Sequence, residues 1–215
     1  MPTSKVFFDV VMSLDGYIAP EGMDMAHADE PEYKQWMQKW TELMQWVSQQ
    51  QFFLENLKLG EGGEVGQDNR MLEATFHRTG VSIMGKQLFS GGERFWPEEA
   101  PFHTPVFVLT NQVRQPWERP GGTTFYFVND GIESALRQAR EVAGNRDIRI
   151  AGGATTIQQY LNAGLVDEFT IHCAPVVFGH GIPLFANMNP DIKVKIKQAV
   201  PSQAVTHVTY EVEKE

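Results

Sequence analysis

The chain is short of several things, and each shortage narrows what it does. It has one cysteine, Cys173, among 215 residues, which excludes an intramolecular disulfide framework. Cys173 lies in EFTIHCAP, a strand-like run where a small buried thiol is expected rather than a nucleophile. Basic charge is scarce: 18 Lys and Arg against 27 Asp and Glu leave a formal net charge of -9. Neither nucleic acid nor a membrane surface is expected as a partner, because both attract basic surfaces. No apolar run is long enough to span a bilayer. MPTSKVFFDVVMSLDG, interrupted by Asp9, is too short and too polar for a signal peptide, so a cytoplasmic protein is expected.

Familiar signatures are missing as well. No G-x-G-x-x-G follows the first strand and no phosphate-loop pattern occurs, which disfavours a standard Rossmann domain. There is no G-x-S-x-G elbow and no H-E-x-x-H, and the six histidines show no other metal-ligand spacing, so no metal is expected. His172, alternating with Ile171 and Cys173, reads as a hydrogen-bonded structural residue.

What is present is the composition of a soluble globular protein, 42% hydrophobic and 21% charged, long enough for a sizeable core. A single domain over 1–215 is expected, with a helical insertion at 24–66. KVFFDVVMS reads as a first strand ending at the LDG turn. The insertion carries Trp36, Trp40, Leu43, Met44 and Val47 at helical spacing, a packing stripe, with Asp29 as N-cap and Pro31 and Glu32 in the first turn. KLGEGGEVGQDN reads as a flexible loop, and DNRMLEATFHRTG as a helix capped by Asp68 or Asn69 and stopped at Gly80. Strands then alternate with helices: VSIMG, KQLFSG, PVFVLTN, TFYFV, the helix over NDGIESALRQAREVAG, DIRIA, TTIQQYLNAG and a longer strand DEFTIHCAPVVFG. DIKVKIKQAV and AVTHVTYEVEKE alternate with period two and form an antiparallel pair. The expected fold is α/β, a mostly parallel sheet closed by a C-terminal antiparallel hairpin.

In such a sheet, ligands bind beyond the carboxyl ends of the strands. Three junctions stand out. At MGKQLF, Gly85 ends a strand and Lys86 opens a helix, which makes a credible anion seat. At LTNQVR, Thr110 and Asn111 offer a hydroxyl and an amide, with Arg114 a turn later. At AGGATT, Gly152 and Gly153 remove side chains that would hold the backbone away from a ligand. Thr155 and Thr156 offer hydroxyls at the same helix start. Together they describe an extended anionic ligand with more than one phosphate, such as a dinucleotide. Asp15, in SLDGYIA, is either a simple Asp-Gly turn or a group facing that ligand.

The motifs VVMSLDGYIA, GVSIMGKQLF, PVFVLTN and IRIAGGATTIQQYLNAGLVDEFTIHCAPVVFGHGIPLF, with the two closing strands, resemble the dihydrofolate reductase-like superfamily. The nearer branch is that of the C-terminal reductase domain of bifunctional riboflavin-biosynthesis deaminase/reductases, and the resemblance spares only 24–66. It implies a three-layer fold with an eight-stranded sheet, NADPH as hydride donor and a homodimer. By position, Gly85 and Lys86 would face the cofactor phosphates, and Thr110 and Asn111 the adenosine end. Gly152, Gly153, Ala154, Thr155 and Thr156 would wrap the pyrophosphate, and relatives often carry an unusual peptide geometry, cis among the options, at the glycine pair. Asp15 would flank the nicotinamide and the substrate as the catalytic or proton-relay group. No residue matches the acidic group that dihydrofolate reductases place on their first helix, so folate reduction proper is not implied. The function expected is hydride transfer from NADPH to a small heterocyclic (pterin- or pyrimidinone-like) or carbonyl substrate; the alternative is a non-catalytic nucleotide-binding sensor homodimer.

Overall fold

The computed structural model describes residues 4–24 and 31–214. Its strands are β1 (Val6–Ser13), β2 (Tyr17–Ala19), β3 (Thr79–Gly85), β4 (Val106–Leu109), β5 (Trp117–Glu118), β6 (Thr124–Val128), β7 (Asp147–Gly152), β8 (Glu168–Ala174), β9 (Ile182–Pro183), β10 (Val194–Pro201) and β11 (Thr206–Val212). Its helices are α1 (Tyr33–Ser48), α2 (Gln51–Asn56), α3 (Gln67–Arg78), α4 (Lys86–Phe95), α5 (Ile132–Val142) and α6 (Ala154–Asn162). The main sheet has nine strands in the order β10-β11-β8-β1-β7-β3-β4-β6-β5, and β2 pairs with β9 separately. The eight expected strands are all there; the two-residue edge strand β5 is the ninth.

The six strands from β8 to β6 run parallel, while the β10–β11 hairpin is antiparallel and pairs antiparallel with β8. Alternation along the strands sorts side chains to two faces. On one face Val6, Phe8, Val81, Ile83, Phe107, Ile148 and Ile150 pack beneath α5 and α6, which contribute Ala135, Leu136, Ala139, Ile157, Tyr160 and Leu161. On the other, Val11 packs with Leu43, Trp46 and Val47 of α1 and Leu72 of α3. Met84, Val106, Val108 and Phe125 pack with Phe89 of α4 on that same side. Helix, sheet and helix make three layers.

Several local expectations need correction. The insertion is not one helix: the chain leaves helical geometry at Gln50 (ψ 137°) and restarts as α2. The buried stripe of α1 is Leu43, Trp46 and Val47, with Trp36, Trp40 and Met44 only half-buried, because the sheet lies under the C-terminal half alone. Glu32 is the N-cap of α1 rather than a first-turn residue, and the Asp29 cap lies outside the described residues. The N-cap of α3 is Gly66; Asp68 and Asn69 sit inside its first turn, buried. That helix ends at Arg78, so Gly80 is already strand, where a Cβ would lie 2.7 Å from the Ala143 carbonyl oxygen. β8 stops at Ala174, since Asp15 and the Leu14–Val176 contact draw the following residues into a loop. Cys173 is half-buried rather than buried, and that burial pushes its thiol up.

Candidate functional site

The parallel strands all end on one edge, and four neighbours in the sheet, β1, β7, β3 and β4, carry the loops singled out by sequence. Asp15 follows β1, Gly152 ends β7, Gly85 ends β3, and Thr110 follows β4. Three strand spacings span about 15 Å, enough for an extended ligand rather than a lone phosphate. The neighbours β3 and β7 send their helices to opposite faces, α4 to one and α6 to the other. Such a switch point opens a crevice at the carboxyl edge.

Backbone conformation and close packing build this crevice. Gly152 has φ 121°, a conformation that L side chains rarely adopt, and the Gly152–Gly153 peptide is cis. A register shift between Ile83 and Met84 marks a bulge where β3 meets this end of β7. A Cβ at Gly85 would lie 2.5 Å from Oγ1 of Thr156, so the start of α6 leans directly on the end of β3. Around Gly153 a Cβ would meet nothing within 4 Å. Gly85 and Gly153 are the N-caps of α4 and α6, and neither helix has a side-chain cap, so their first-turn amides remain free of one.

The polar residues divide by position. Lys86 is exposed and makes no ion pair among the described residues. Thr155 is exposed, whereas Ala154 and Thr156 are buried, Thr156 against Gly85. Thr110 accepts a hydrogen bond from the Gln112 amide (3.1 Å), and Asn111 is exposed. Arg114, offered by sequence beside them, is engaged elsewhere: it forms a bidentate pair with Glu93 (2.7 and 3.2 Å) and stacks over Phe127.

Asp15 is exposed and multiply held. Its carboxylate accepts from the Ser13 hydroxyl (2.7 Å), the Phe178 amide (3.1 Å) and the Gly179 amide (2.6 Å). The Ser13 hydroxyl and the two amides hold its carboxyl down at about 2. It therefore fastens the β1–β2 turn to the loop after β8. That loop is held twice more, by Lys39 of α1 donating to the Phe178 carbonyl (3.3 Å) and by Gln158 of α6 donating to the carbonyls of Pro183 (3.1 Å) and Leu184 (2.9 Å). Sequence reading missed Phe178, Gly179, Lys39 and Gln158. Their contacts run between distant segments, and no local pattern marks them.

Among the described residues no helix is long and apolar enough to cross a membrane.

Comparison with known proteins agrees with this architecture. A protein of Shewanella sp. PV-4, whose name assigns it to riboflavin biosynthesis, superposes with a TM-score of 0.62 at 22% identity, over 98% of this chain and 99% of that one. Acinetobacter baumannii RibD gives 0.60 at 13% identity, over 99% of this chain and 59% of that one. Dihydrofolate reductase of Enterococcus faecalis, solved with NADP(H), gives 0.57 at 13% identity, over 99% and 98%. By sequence, the uncharacterized Bacillus subtilis protein YyaP is 36% identical over 85 residues, covering 39% of this chain and 45% of YyaP. YwjB of the same organism is 35% identical over 71 residues, covering 33% and 40%. The matched stretches thus span less than half of each of these two relatives. The RibD C-terminal domain family matches residues 4–208. The strand order, the crevice between β3 and β7 and that nearly full-length match agree: the chain belongs to the RibD C-terminal domain family, on a dihydrofolate reductase-like fold.

Proposed function

We propose that the protein is an NADPH-dependent oxidoreductase that delivers a hydride to a small heterocyclic (pterin- or pyrimidinone-like) or carbonyl substrate. The observation that carries this reading is the crevice between β3 and β7, where two helices without side-chain caps begin next to each other. Membership of the RibD C-terminal domain family supports a reductase-type activity. A structural neighbour solved with NADP(H) supports the choice of cofactor.

The residues present fit a dinucleotide phosphate. Among the described residues, a Cβ built on Gly152 meets only the Leu88 side chain, at 3.4 Å, and one on Gly153 meets nothing within 4 Å, so ligand oxygens can reach backbone amides there. Lys86, without an ion-pair partner among the described residues, supplies a positive charge at the start of α4. Gly152 through Thr156 would hold the pyrophosphate, with the Thr155 hydroxyl exposed towards it, and Thr110 and Asn111 would meet the adenosine end. When bound, the dihydronicotinamide supplies the hydride at its C4.

Asp15 acts in this reading as an acceptor. A carboxyl held near 2 is ionised at neutral pH and does not release a proton there. Its task is to keep the 178–179 loop in place beside the substrate and to accept a hydrogen bond from it, while water supplies the proton that follows the hydride.

Titrating NADPH while following tryptophan fluorescence tests the cleft. Saturable quenching at micromolar cofactor is expected, and its absence at millimolar NADPH would refute the reading. Loss of nicotinamide absorbance with a panel of pterins, pyrimidinones and carbonyl compounds then tests hydride transfer. Binding without oxidation by any of them would leave a nucleotide-binding protein and overturn the reductase assignment.

A further inference from the structure

Away from the crevice, on the sheet face covered by α1 and α3, a line of ionisable groups is buried in the core. Arg149 of β7 donates Nε–H to Asp9 Oδ1 of β1 at 2.7 Å. Asp9 Oδ2 lies 3.6 Å from Nε2 of His172 on β8. Nδ1 of His172 and Nδ1 of His207 on β11 are 2.6 Å apart. His207 Nε2 is 3.0 Å from Asp68 Oδ1 of α3, and Asp68 Oδ2 accepts from the Ser202 hydroxyl at 2.9 Å. The two rings are 2% and 1% exposed, and Trp46 of α1 covers both with ring centroids 5.2 Å away. Sequence reading took His172 as a hydrogen-bonded structural residue, and it did not connect it to His207, Asp68 or Asp9.

Proton counting constrains this line. An ionised Asp68 only accepts, so His207 Nε2 carries a hydrogen. The gap of 2.6 Å between the two Nδ1 atoms needs one hydrogen, since two lone pairs do not approach so closely. Two neutral imidazoles have then spent both their N–H groups. His172 Nε2, which is buried and has no hydrogen-bond partner among the described residues, would turn a bare lone pair towards the Asp9 carboxylate. The line would also hold two carboxylates against the single cation Arg149, an uncompensated charge in the core. A third ring hydrogen, on His172 Nε2, removes both conflicts at once.

We propose that the His172–His207 pair carries one shared positive charge in the folded protein, set between the carboxylates of Asp9 and Asp68 beneath α1. Among the described residues, the charged groups in contact with this line are Asp9 from β1, Arg149 from β7 and Asp68 from α3, while α1 presents the uncharged indole of Trp46. Of the other charges nearby, Arg78 of α3 pairs with Asp147 and Glu168, Glu73 of α3 accepts from Asn69, and Lys197 of β10 pairs with Glu168. A second proton is refused. Burial and the charge on His172 lower His207 from its ordinary value, although Asp68 opposes them.

The pair thus ties α3 to the sheet most strongly over a limited pH range. With one shared proton kept in the folded form, the unfolded chain differs by holding two below about pH 6.5 and none above it. Stability rises with pH where the unfolded chain binds more protons and falls where the folded form does. It should therefore peak near pH 6.5, with the unfolding constant changing by up to tenfold per pH unit on either side.

Urea unfolding between about pH 5 and 8 reads this directly. The expected result is a maximum near pH 6.5, with His172→Gln abolishing the decline on the alkaline side. A neutral pair instead gives a curve that climbs to a plateau above pH 6.5 in both proteins, which would overturn the proposal. Should His172→Gln not fold, ¹⁵N-resolved histidine spectra of the unmodified protein at pH 7 decide the matter. Both nitrogens of His172 are expected to be protonated or proton-sharing. An unprotonated Nε2 on that ring refutes the shared charge.

Discussion

The carboxylate of Asp15 accepts the backbone amide of Gly179 at 2.6 Å, across 164 residues of chain. This bond and its neighbour from Phe178 join the loop after the first strand to the loop after β8, on the edge where the crevice opens. Asp15→Asn keeps the shape but loses the charge and turns one oxygen into a donor. Amide hydrogen exchange at Phe178 and Gly179 should accelerate at least tenfold, with little change in global stability. Because the folded carboxyl is depressed, the stabilisation from Asp15 is complete above about pH 4 and fades as pH falls towards about 2. Exchange at these two amides measured across that range should show the same fade in the unmodified protein, and not in the variant.

Gly85 and Thr156 form the second testable contact. With only 2.5 Å between a Cβ at 85 and Oγ1 of Thr156, Gly85→Ala forces α6 away from β3, at a cost of about 1–3 kcal/mol. The double variant Gly85→Ala/Thr156→Ala removes the clash. Its urea stability should lie well above the sum of the two single effects, as contact between the sites requires. Strict additivity would mean that the two positions do not touch.

Gly153 and Lys86 separate binding from folding. A side chain at 153 enters open space, so Gly153→Val should fold with stability within about 1 kcal/mol of the parent, the scale of an N-cap change. Its NADPH affinity should nevertheless drop at least tenfold. Unchanged affinity in a folded Gly153→Val protein would contradict the phosphate cradle. Lys86→Ala should weaken NADPH about tenfold and flatten the dependence of affinity on salt, because an exposed point charge acts through screened attraction.

Glu168 offers a control far from the crevice. Burial works to raise its carboxyl, yet hydrogen bonds from Lys197, Lys5 and Arg78 hold it down at about 2. Its contribution is therefore present above about pH 4.5 and lost as pH falls towards about 2. Glu168→Gln should cost about 2 kcal/mol at pH 7, less than a fully buried pair because the two lysines are half-exposed. NADPH binding should be unaffected.

Much of this was legible in order along the chain. The strands β3, β4, β6 and β7 and the helices α5 and α6 follow from short apolar runs alternating with amphipathic segments and stopped by glycine. The glycine pair at 152–153, the strand end at Gly85 and the Thr110–Asn111 turn announced themselves because glycine and polar residues at strand ends are local signals. Less legible was the insertion. Its aromatic spacing predicted one continuous stripe, but the sheet reaches only Leu43, Trp46 and Val47, and a stripe cannot report how long its partner surface is.

Asp68 shows why the rest stayed hidden. Read locally it is a helix cap; in the fold it lies in the first turn of α3, bound to His207 and Ser202 more than 130 residues later. The period-two patterns around His172 and His207 do place each ring on one face of its strand. Only the β8–β11 register, which sets His207 opposite His172, makes them a pair.

By itself, then, the sequence determined which segments are strands and helices, which strand ends carry glycine and hydroxyl groups, and the acidic net charge. Those properties depend on neighbours a few residues away, where backbone conformation and periodicity act. Tertiary structure alone decided that the ends of β1, β7, β3 and β4 stand side by side. It decided too that α4 and α6 leave on opposite faces, and that two carboxylates, two imidazoles and a guanidinium meet under Trp46. Strand order and burial are collective: each is set by which apolar faces can be covered together, and no single stretch of chain contains that information.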